Sequence, residues 1–346
     1  MKKVILAVGF ESANGFVKTA SDVHQEAYLN TIREITDPTT EKDLIAKAYG
    51  KTVFKVGEKY FQISALESSK SSSGENIRRY GSHEYKIESL IAIFKNIQKL
   101  DTKDSTIHVH AATGVPANHF NIKSVQTDLN ANLVGKHVVN DIEFEISSVA
   151  STLQPLASFA KRIFNEDGSP NNAKINHYMK DEYKVLIVDI GFGSTDYAEI
   201  IAGSLKKTYK TLGMREVYEN ILNRAYAEQE MLRTFALNEF FVESETRKGD
   251  TITKGQYKVD ITEIKKEEFK KKVGNVANET TQNGLQYDTY DEVLFVGGGV
   301  EALNEELNKQ FGKDPRVTIA EESQFENVKG YLLKAKSNIL REGVAS

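Results

Sequence analysis

KVILAVGFESANGFVK, residues 3–18, is the stretch whose reading decides the fold. Its apolar run, Val4 to Val8, has the character of a buried strand, and it closes on a carboxylate, Glu11. Ser12, Ala13, Asn14 and Gly15 follow, and the chain returns through Phe16 and Val17 to one cation, Lys18. Asn-Gly supplies the positive φ angles of a tight hairpin, so a purely structural turn accounts for the reversal. It does not account for the acid. A carboxylate ending an apolar strand is partly desolvated, which is unfavourable unless a cation or donor answers it.

The pattern of strand, acid, small-residue turn and returning strand recurs in VLIVDIGFGSTDYAEI, residues 185–200, with Asp189 as the acid and Gly191, Phe192, Gly193, Ser194 and Asp196 around the turn. Taken alone, it too reads as a plain hairpin. Backbone N–H groups of glycine turns form concavities that bind anions, and a pair of such turns can embrace a polyphosphate. Glu11 and Asp189 would then hold Mg²⁺ largely through water, since this ion keeps much of its hydration shell. Lys18 would neutralise phosphate charge as a point cation. A third turn, Gly297, Gly298 and Gly299 with Val300, follows the strand VLFV and opens a helix. Glycines there permit close approach of a flat ligand and leave a helix N-terminus open to an anion, although a tight connection alone explains them too. Neither G-x-G-x-x-G after the first strand nor GxxxxGK[ST] occurs, so a dinucleotide fold and the usual phosphate loop are excluded.

The remaining chain agrees with an α/β protein. It has 346 residues, 40% hydrophobic and 27% charged, the profile of a soluble globular protein of two domains. No apolar run approaches the length of a membrane span. The N-terminal apolar run is short for a secretory signal. Without cysteine there are no disulfides or thiolate metal sites, and a cytoplasmic setting is expected. A net charge of −4 argues against a broad DNA-binding face. Strands are expected at 4–10, 16–20, 51–56, 60–64, 105–112, 293–296 and 316–319, with a hairpin across 134–147. Helices are expected at 84–100, 152–164, 214–245, 260–280, 301–311 and 326–341. The first of these places Ile87, Leu90, Ile91, Phe94 and Ile97 on one face, and the last does so for Val328, Tyr331, Leu332, Ala335 and Ile339. ESSKSSSG, residues 67–74, reads as an exposed loop, and the turn formers of 165–174 as a boundary.

These motifs, in this order, resemble the superfamily of actin, sugar kinases and DnaK-type chaperones, and most closely its ParM-type plasmid-segregation actins. Glu11 to Lys18 resembles the first phosphate loop, Asp189 to Asp196 the second, and Val296 to Val300 the adenosine motif. Thr113-Gly114-Val115-Pro116, the Gly213-to-Glu216 helix start, and QFENVKGY at residues 324–331 are similar to further family motifs, so nearly the whole chain is covered. Glu11 stands where the family usually has Asp, Ala13 where it has Gly, and Phe192 where it has a small residue. The resemblance implies two related α/β domains, 1–173 and 174–346, around a nucleotide cleft. Their outer subdomains would cover about 21–83 and 214–288, with the helix at 326–341 able to pack back on the first domain. It implies a slow ATPase using ATP (or GTP) and Mg²⁺. Nucleotide would be bound by Ser12, Ala13, Asn14, Gly15, Lys18, Gly191, Phe192, Gly193, Ser194, Gly213, Glu216, Gly297, Gly298, Gly299 and Val300, and the metal by Glu11 and Asp189. Gln154 in QPLASF is expected to position the attacking water, with Thr152 or a plain helix cap as alternatives, and Asp196 to help orient it. The implied partners are further copies in a filament and a DNA-bound adaptor, without direct DNA or membrane contact. Alternatives on the same fold are a phage or cell-organising filament and a small-metabolite kinase.

Overall fold

The computed structural model describes residues 2–13, 15–63, 76–101 and 105–343. Asn14 and the serine-rich 67–74 lie outside the described residues. The chain divides into two units, Met1–Ile175 with Asn327–Ser346, and Asn176–Glu326.

The first unit carries β1 (Lys2–Ser12), β2 (Phe16–Ala20), β3 (Gln25–Leu29), β4 (Ile32–Ile35), β5 (Val53–Val56), β6 (Lys59–Ile63), β7 (Ser105–Val115), β8 (Gly135–Val139) and β9 (Ile142–Leu153). They form one sheet in the order β3-β2-β1-β7-β9-β8-β5-β6-β4. Its helices are α1 (Lys42–Ala48), α2 (His83–Ile97), α3 (Ala117–Phe120), α4 (Lys123–Leu133) and α5 (Gln154–Ile163), and α6 (Asn172–Tyr178) spans the boundary between units. The β8–β9 hairpin turns at Asn140 and Asp141, both at positive φ (48° and 62°), as a two-residue turn requires.

α2 starts where Ser82 accepts a hydrogen bond from the Tyr85 N–H at 3.1 Å. All five residues of its expected apolar face are buried. So are Glu88, Ser89, Lys95 and Asn96 on its other sides, so the helix is enclosed all round and must satisfy its polar side chains internally. The expected helix at 152–164 begins two residues later, because β9 continues to Leu153 and keeps Thr152 in the sheet, opposite Gly114.

The second unit holds β10 (Lys184–Ile190), β11 (Ser194–Ile201), β12 (Ser204–Leu212), α7 (Met214–Glu228), α8 (Glu239–Lys248), β13 (Thr251–Lys254), β14 (Tyr257–Asp260), α9 (Thr262–Gln282), β15 (Glu292–Val296), α10 (Gly298–Phe311) and β16 (Val317–Ile319). Its main sheet runs β12-β11-β10-β15-β16. A single helix over 214–245 is not formed. A 3₁₀ turn at Glu230–Phe235 follows α7, Ala236 adopts φ 48°, and Asn238 starts a new helix by accepting from the Phe241 N–H at 3.0 Å.

The two units share one plan. The order β3-β2-β1-β7-β9 matches β12-β11-β10-β15-β16 strand for strand. In each, the first three strands are joined antiparallel, the third pairs parallel with the fourth, and the fourth pairs parallel with the fifth. Each hairpin with an acid, β1–β2 and β10–β11, therefore occupies the same place in its own sheet.

α11 (Glu326–Arg341) closes the chain. Its expected apolar face is buried, with Val328, Tyr331 and Ala335 at 0% exposure. Within the first unit the helix packs so closely on its neighbours that side chains at two glycines are excluded. A methyl carbon at Gly330 would sit 1.8 Å from the Ala157 carbonyl oxygen, and one at Gly9 would sit 2.2 Å from that of Val328.

Candidate functional site

In the first unit, β1 and β2 pair in register, Glu11 opposite Lys18 and Ser12 opposite Val17. Residues opposed in this way have neighbouring side chains on one face. Lys18 Nζ lies 3.0 Å from Glu11 Oε2, and the carboxylate is only 5% exposed. From the start of α5, Gln154 Nε2 donates to Glu11 Oε1 at 3.2 Å. Acid, lysine and glutamine, predicted as three parts of one site, are thus brought into direct contact. Behind them, Gly114 of the TGVP motif is wedged against both Gln154 and Tyr331 of the C-terminal motif. A methyl carbon there would lie 1.8 Å from Tyr331 Oη and 2.8 Å from Gln154 Cγ.

The turn itself is held from the protein side. Ala13 N–H bonds to the Phe16 carbonyl at 3.0 Å. The Ser12 hydroxyl donates to Glu88, so this side chain faces inward rather than toward a ligand. Arg79 Nη2 donates to the Ser12 carbonyl at 2.7 Å, and Asn30 Nδ2 donates to the Ala13 carbonyl at 2.8 Å. Arg79, Glu88 and Asn30 are all buried, and none of them was singled out from the sequence.

In the second unit, Asp189 stands opposite Asp196 on the hairpin and beside Val296 of β15. The turn closes through the Gly191 N–H to the Ser194 carbonyl at 2.7 Å, and the Ser194 hydroxyl donates to Asp196 Oδ2 at 2.6 Å. The start of α7 docks onto this turn: Met214 N–H bonds to the Gly191 carbonyl at 3.0 Å and Arg215 N–H to that of Phe192 at 2.7 Å. Gly213 makes that docking possible, because a methyl carbon there would meet Ser194 N at 2.4 Å. Gly297 lies on Asp189 in the same way. It has φ +96°, and a methyl carbon would fall 2.3 Å from Asp189 Oδ1. α10 begins at Gly298, three residues earlier than the pattern suggested, so the second and third glycines form its first turn.

The other predicted residues fall into two groups. Around Gly193 a side chain would meet nothing within 4 Å, so this part of the turn is open. Val300 is fully buried, and Phe192 stacks on Phe240 with ring centroids 4.3 Å apart and carries the Arg215 guanidinium 5.4 Å from its own centroid. These two side chains are engaged in packing, and their backbone is partly engaged as well: the Phe192 carbonyl accepts from Arg215, and the Val300 N–H donates to the Gly297 carbonyl at 3.1 Å. Glu216 lies in the first turn of α7, near a lysine that the charge-rich pattern of α9 concealed. Lys272 is 4% exposed and donates to the Leu212 carbonyl at 2.6 Å. Burial pushes its pKa down, while the charges of Glu279 and Glu216 oppose that shift.

Among the described residues no group of three or more His, Cys, Asp or Glu could hold a metal ion. At the first turn the buried Glu11 carboxylate is answered by Lys18 Nζ, 3.0 Å from Oε2, and by Gln154 at Oε1, so a hydrated cation there would share the carboxylate with the lysine. No helix among the described residues is long and apolar enough to cross a membrane.

No protein-family model and no curated protein matches the sequence. Solved structures do match over the full length. Actin-like protein Alp7A superposes with a TM-score of 0.70 at 16% identity, covering 99% of this chain and 98% of that one. A ParM from a 15-stranded filament of Clostridium botulinum gives 0.69 at 20% identity, with 97% and 99% covered. Bacillus thuringiensis ParM with ATP gives 0.69 at 16% identity, with 99% and 100% covered. The fold is that of the actin-like proteins. Within this actin-like fold the repeated strand order of the two units places an acidic glycine turn at the same point of each sheet.

Proposed function

We propose that the chain is a filament-forming actin-like ATPase that segregates plasmid DNA through a DNA-bound adaptor. The contact of Glu11 with both Lys18 and Gln154 carries this reading. An acid, a point cation and a neutral amide at one turn are what metal-assisted attack of water on a γ-phosphate requires. In this reading the glycine turns of both units donate backbone N–H groups to the phosphates of ATP (or GTP). Glu11 and Asp189 hold Mg²⁺ largely through water, Gln154 orients the attacking water, and Asp196 assists it. Support comes also from solved proteins of the same fold, among them a ParM with ATP and a ParM filament.

A head-to-tail contact repeated without closure gives a filament, and nucleotide biases it by favouring one conformation of the subunit. Adding ATP and Mg²⁺ to the purified protein should raise light scattering above a critical protein concentration. The signal should decay as ATP is consumed, and electron micrographs should show filaments. A monomer that turns over ATP only with a small hydroxylated substrate would replace this reading with a kinase. Filaments on which plasmid retention does not depend would keep the ATPase and remove the segregation role.

A further inference from the structure

Beneath the first turn lies an ion pair that the proposed chemistry does not use. Arg79 is 9% exposed and Glu88 0%, with Nη2 and Oε2 3.7 Å apart. Arg79 belongs to a short 3₁₀ helix, Ile77–Gly81, started by Asn76, and its guanidinium lies 5.3 Å from the Tyr85 ring centroid. Burying two charges is costly, and an apolar pair of similar volume often serves stability as well or better. Both members of this pair hydrogen-bond to one residue. Arg79 donates to the Ser12 carbonyl at 2.7 Å, and Glu88 accepts from the Ser12 hydroxyl.

Two further carbonyls among the described residues of the turn are held in the same sense. Asn30 Nδ2 takes that of Ala13 at 2.8 Å, and the Asn30 backbone N–H takes that of Gly15 at 3.0 Å. A carbonyl oxygen turned toward a phosphate would repel it, whereas an N–H would bind it. Donors placed below three carbonyls keep the negative ends of these peptide dipoles directed into the protein.

We infer that Arg79 and Glu88 are positioning residues that hold Ser12 with its carbonyl directed into the protein, away from the ligand side of the first turn, and that the ligand they serve is the phosphate end of a nucleotide. Because the two charges balance, the pair acts by holding the Ser12 carbonyl toward the protein, the Ala13 N–H of the same peptide being already bonded to the Phe16 carbonyl at 3.0 Å, rather than by attracting the ligand from a distance. The inference rests on the nucleotide-binding reading above.

The decisive variant combines Arg79→Met with Glu88→Gln. It leaves no unpaired buried charge, and the glutamine amide oxygen still accepts from Ser12, so a merely structural pair would be replaced without consequence. ATP–Mg²⁺ and adenosine binding would be measured by titration and competition, together with the melting temperature. Melting near that of wild type, ATP bound about tenfold more weakly, the order of one lost charge-assisted hydrogen bond, and unchanged adenosine binding are expected. ATP binding equal to wild type, or equal weakening of ATP and adenosine, overturns the inference while leaving the nucleotide-binding reading intact. Wild-type protein that binds no ATP removes that reading and the inference with it. If the double variant does not fold, Arg79→Lys decides the matter, because it keeps the charge balance but cannot reproduce the planar fork toward Ser12 and Glu88. A selective loss for ATP supports the lock, and unchanged ATP binding refutes it.

Discussion

Gln154 Nε2 donates to Glu11 Oε1 at 3.2 Å, joining the first turn of a helix to the end of a strand 143 residues earlier. The amide is held by the acid on one side and backed by Gly114 on the other. A side chain so placed can orient a water without being charged. Gln154→Ala should slow ATP hydrolysis by about 10²-fold, the usual scale for one positioned transition-state group, while changing ATP affinity little. Filaments would then form and persist. Single-turnover hydrolysis together with nucleotide titration checks this. A wild-type rate would transfer the role to Thr152 or to backbone groups alone.

Gly114 links two sequence motifs that share no neighbours in the chain. Tyr331 and Gln154 both press on its missing side chain. Gly114→Ala must displace both, Tyr331 from 1.8 Å and Gln154 from 2.8 Å, and overpacking of this kind costs about 1–3 kcal/mol. A lowered melting temperature is expected, with hydrolysis falling more than ATP binding because Gln154 is the more easily moved neighbour. Loss of stability with hydrolysis untouched would show that the site tolerates the shift of Gln154.

The sequence exposes those parts of this site whose partners are close in the chain or whose spacing is regular. Glu11, the turn and Lys18 are legible because a hairpin fixes them by local rules. Asp189 and its turn follow for the same reason. Glu88 is not legible: it stands between Ile87 and Ser89 in a helix whose apolar face identifies one buried side, and periodicity gives no sign that the other sides are buried too. Its partners are 9 and 76 positions away, and only the tertiary fold assembles them. Lys272 left a faint signal, since it falls at helical spacing with Phe269, Val273 and Val276 inside a run that otherwise reads as solvated charge. The break at Ala236 left none, because alanine ordinarily favours a helix.

Two histidines of the first unit give stability a pH dependence. His110 is 4% exposed and lies 2.9 Å from the Ser148 hydroxyl. Burial pushes its pKa down, aided by Lys3 and His108, while Glu342 at 3.6 Å opposes the shift. Burial also lowers His137, against the opposing effect of its hydrogen bond to the Leu133 carbonyl at 2.7 Å. A lowered folded-state pKa means that the unfolded chain binds the proton more readily, so stability is fully present above the ordinary histidine value of about 6.5 and declines as pH falls through it. Melting temperature should therefore fall between pH 7 and 5, before most carboxylates titrate. His110→Asn with His137→Gln should flatten that part of the profile. An unchanged slope in the double variant would assign the acid sensitivity to other groups.

The second turn is tested at the contact between Asp189 and Gly297. Gly297 has φ +96°, donates its N–H to the Ser323 carbonyl at 2.9 Å, and has the Asp189 carboxylate where a side chain would begin. Asp189→Ala removes the charge without opening a core, so nucleotide hydrolysis should disappear while the melting temperature stays within a few degrees of wild type. Gly297→Ala does the reverse at the same contact. The carboxylate stays, but a methyl group meets Oδ1 and the backbone angle is strained by about 1–3 kcal/mol. It should lower stability and also displace Asp189, reducing hydrolysis by about tenfold or more, since small displacements at a reacting centre are costly. Measuring turnover and melting for both variants separates charge from placement. Turnover near wild type in Asp189→Ala would remove this acid from the site, and normal turnover in a folded Gly297→Ala would show that its position tolerates movement.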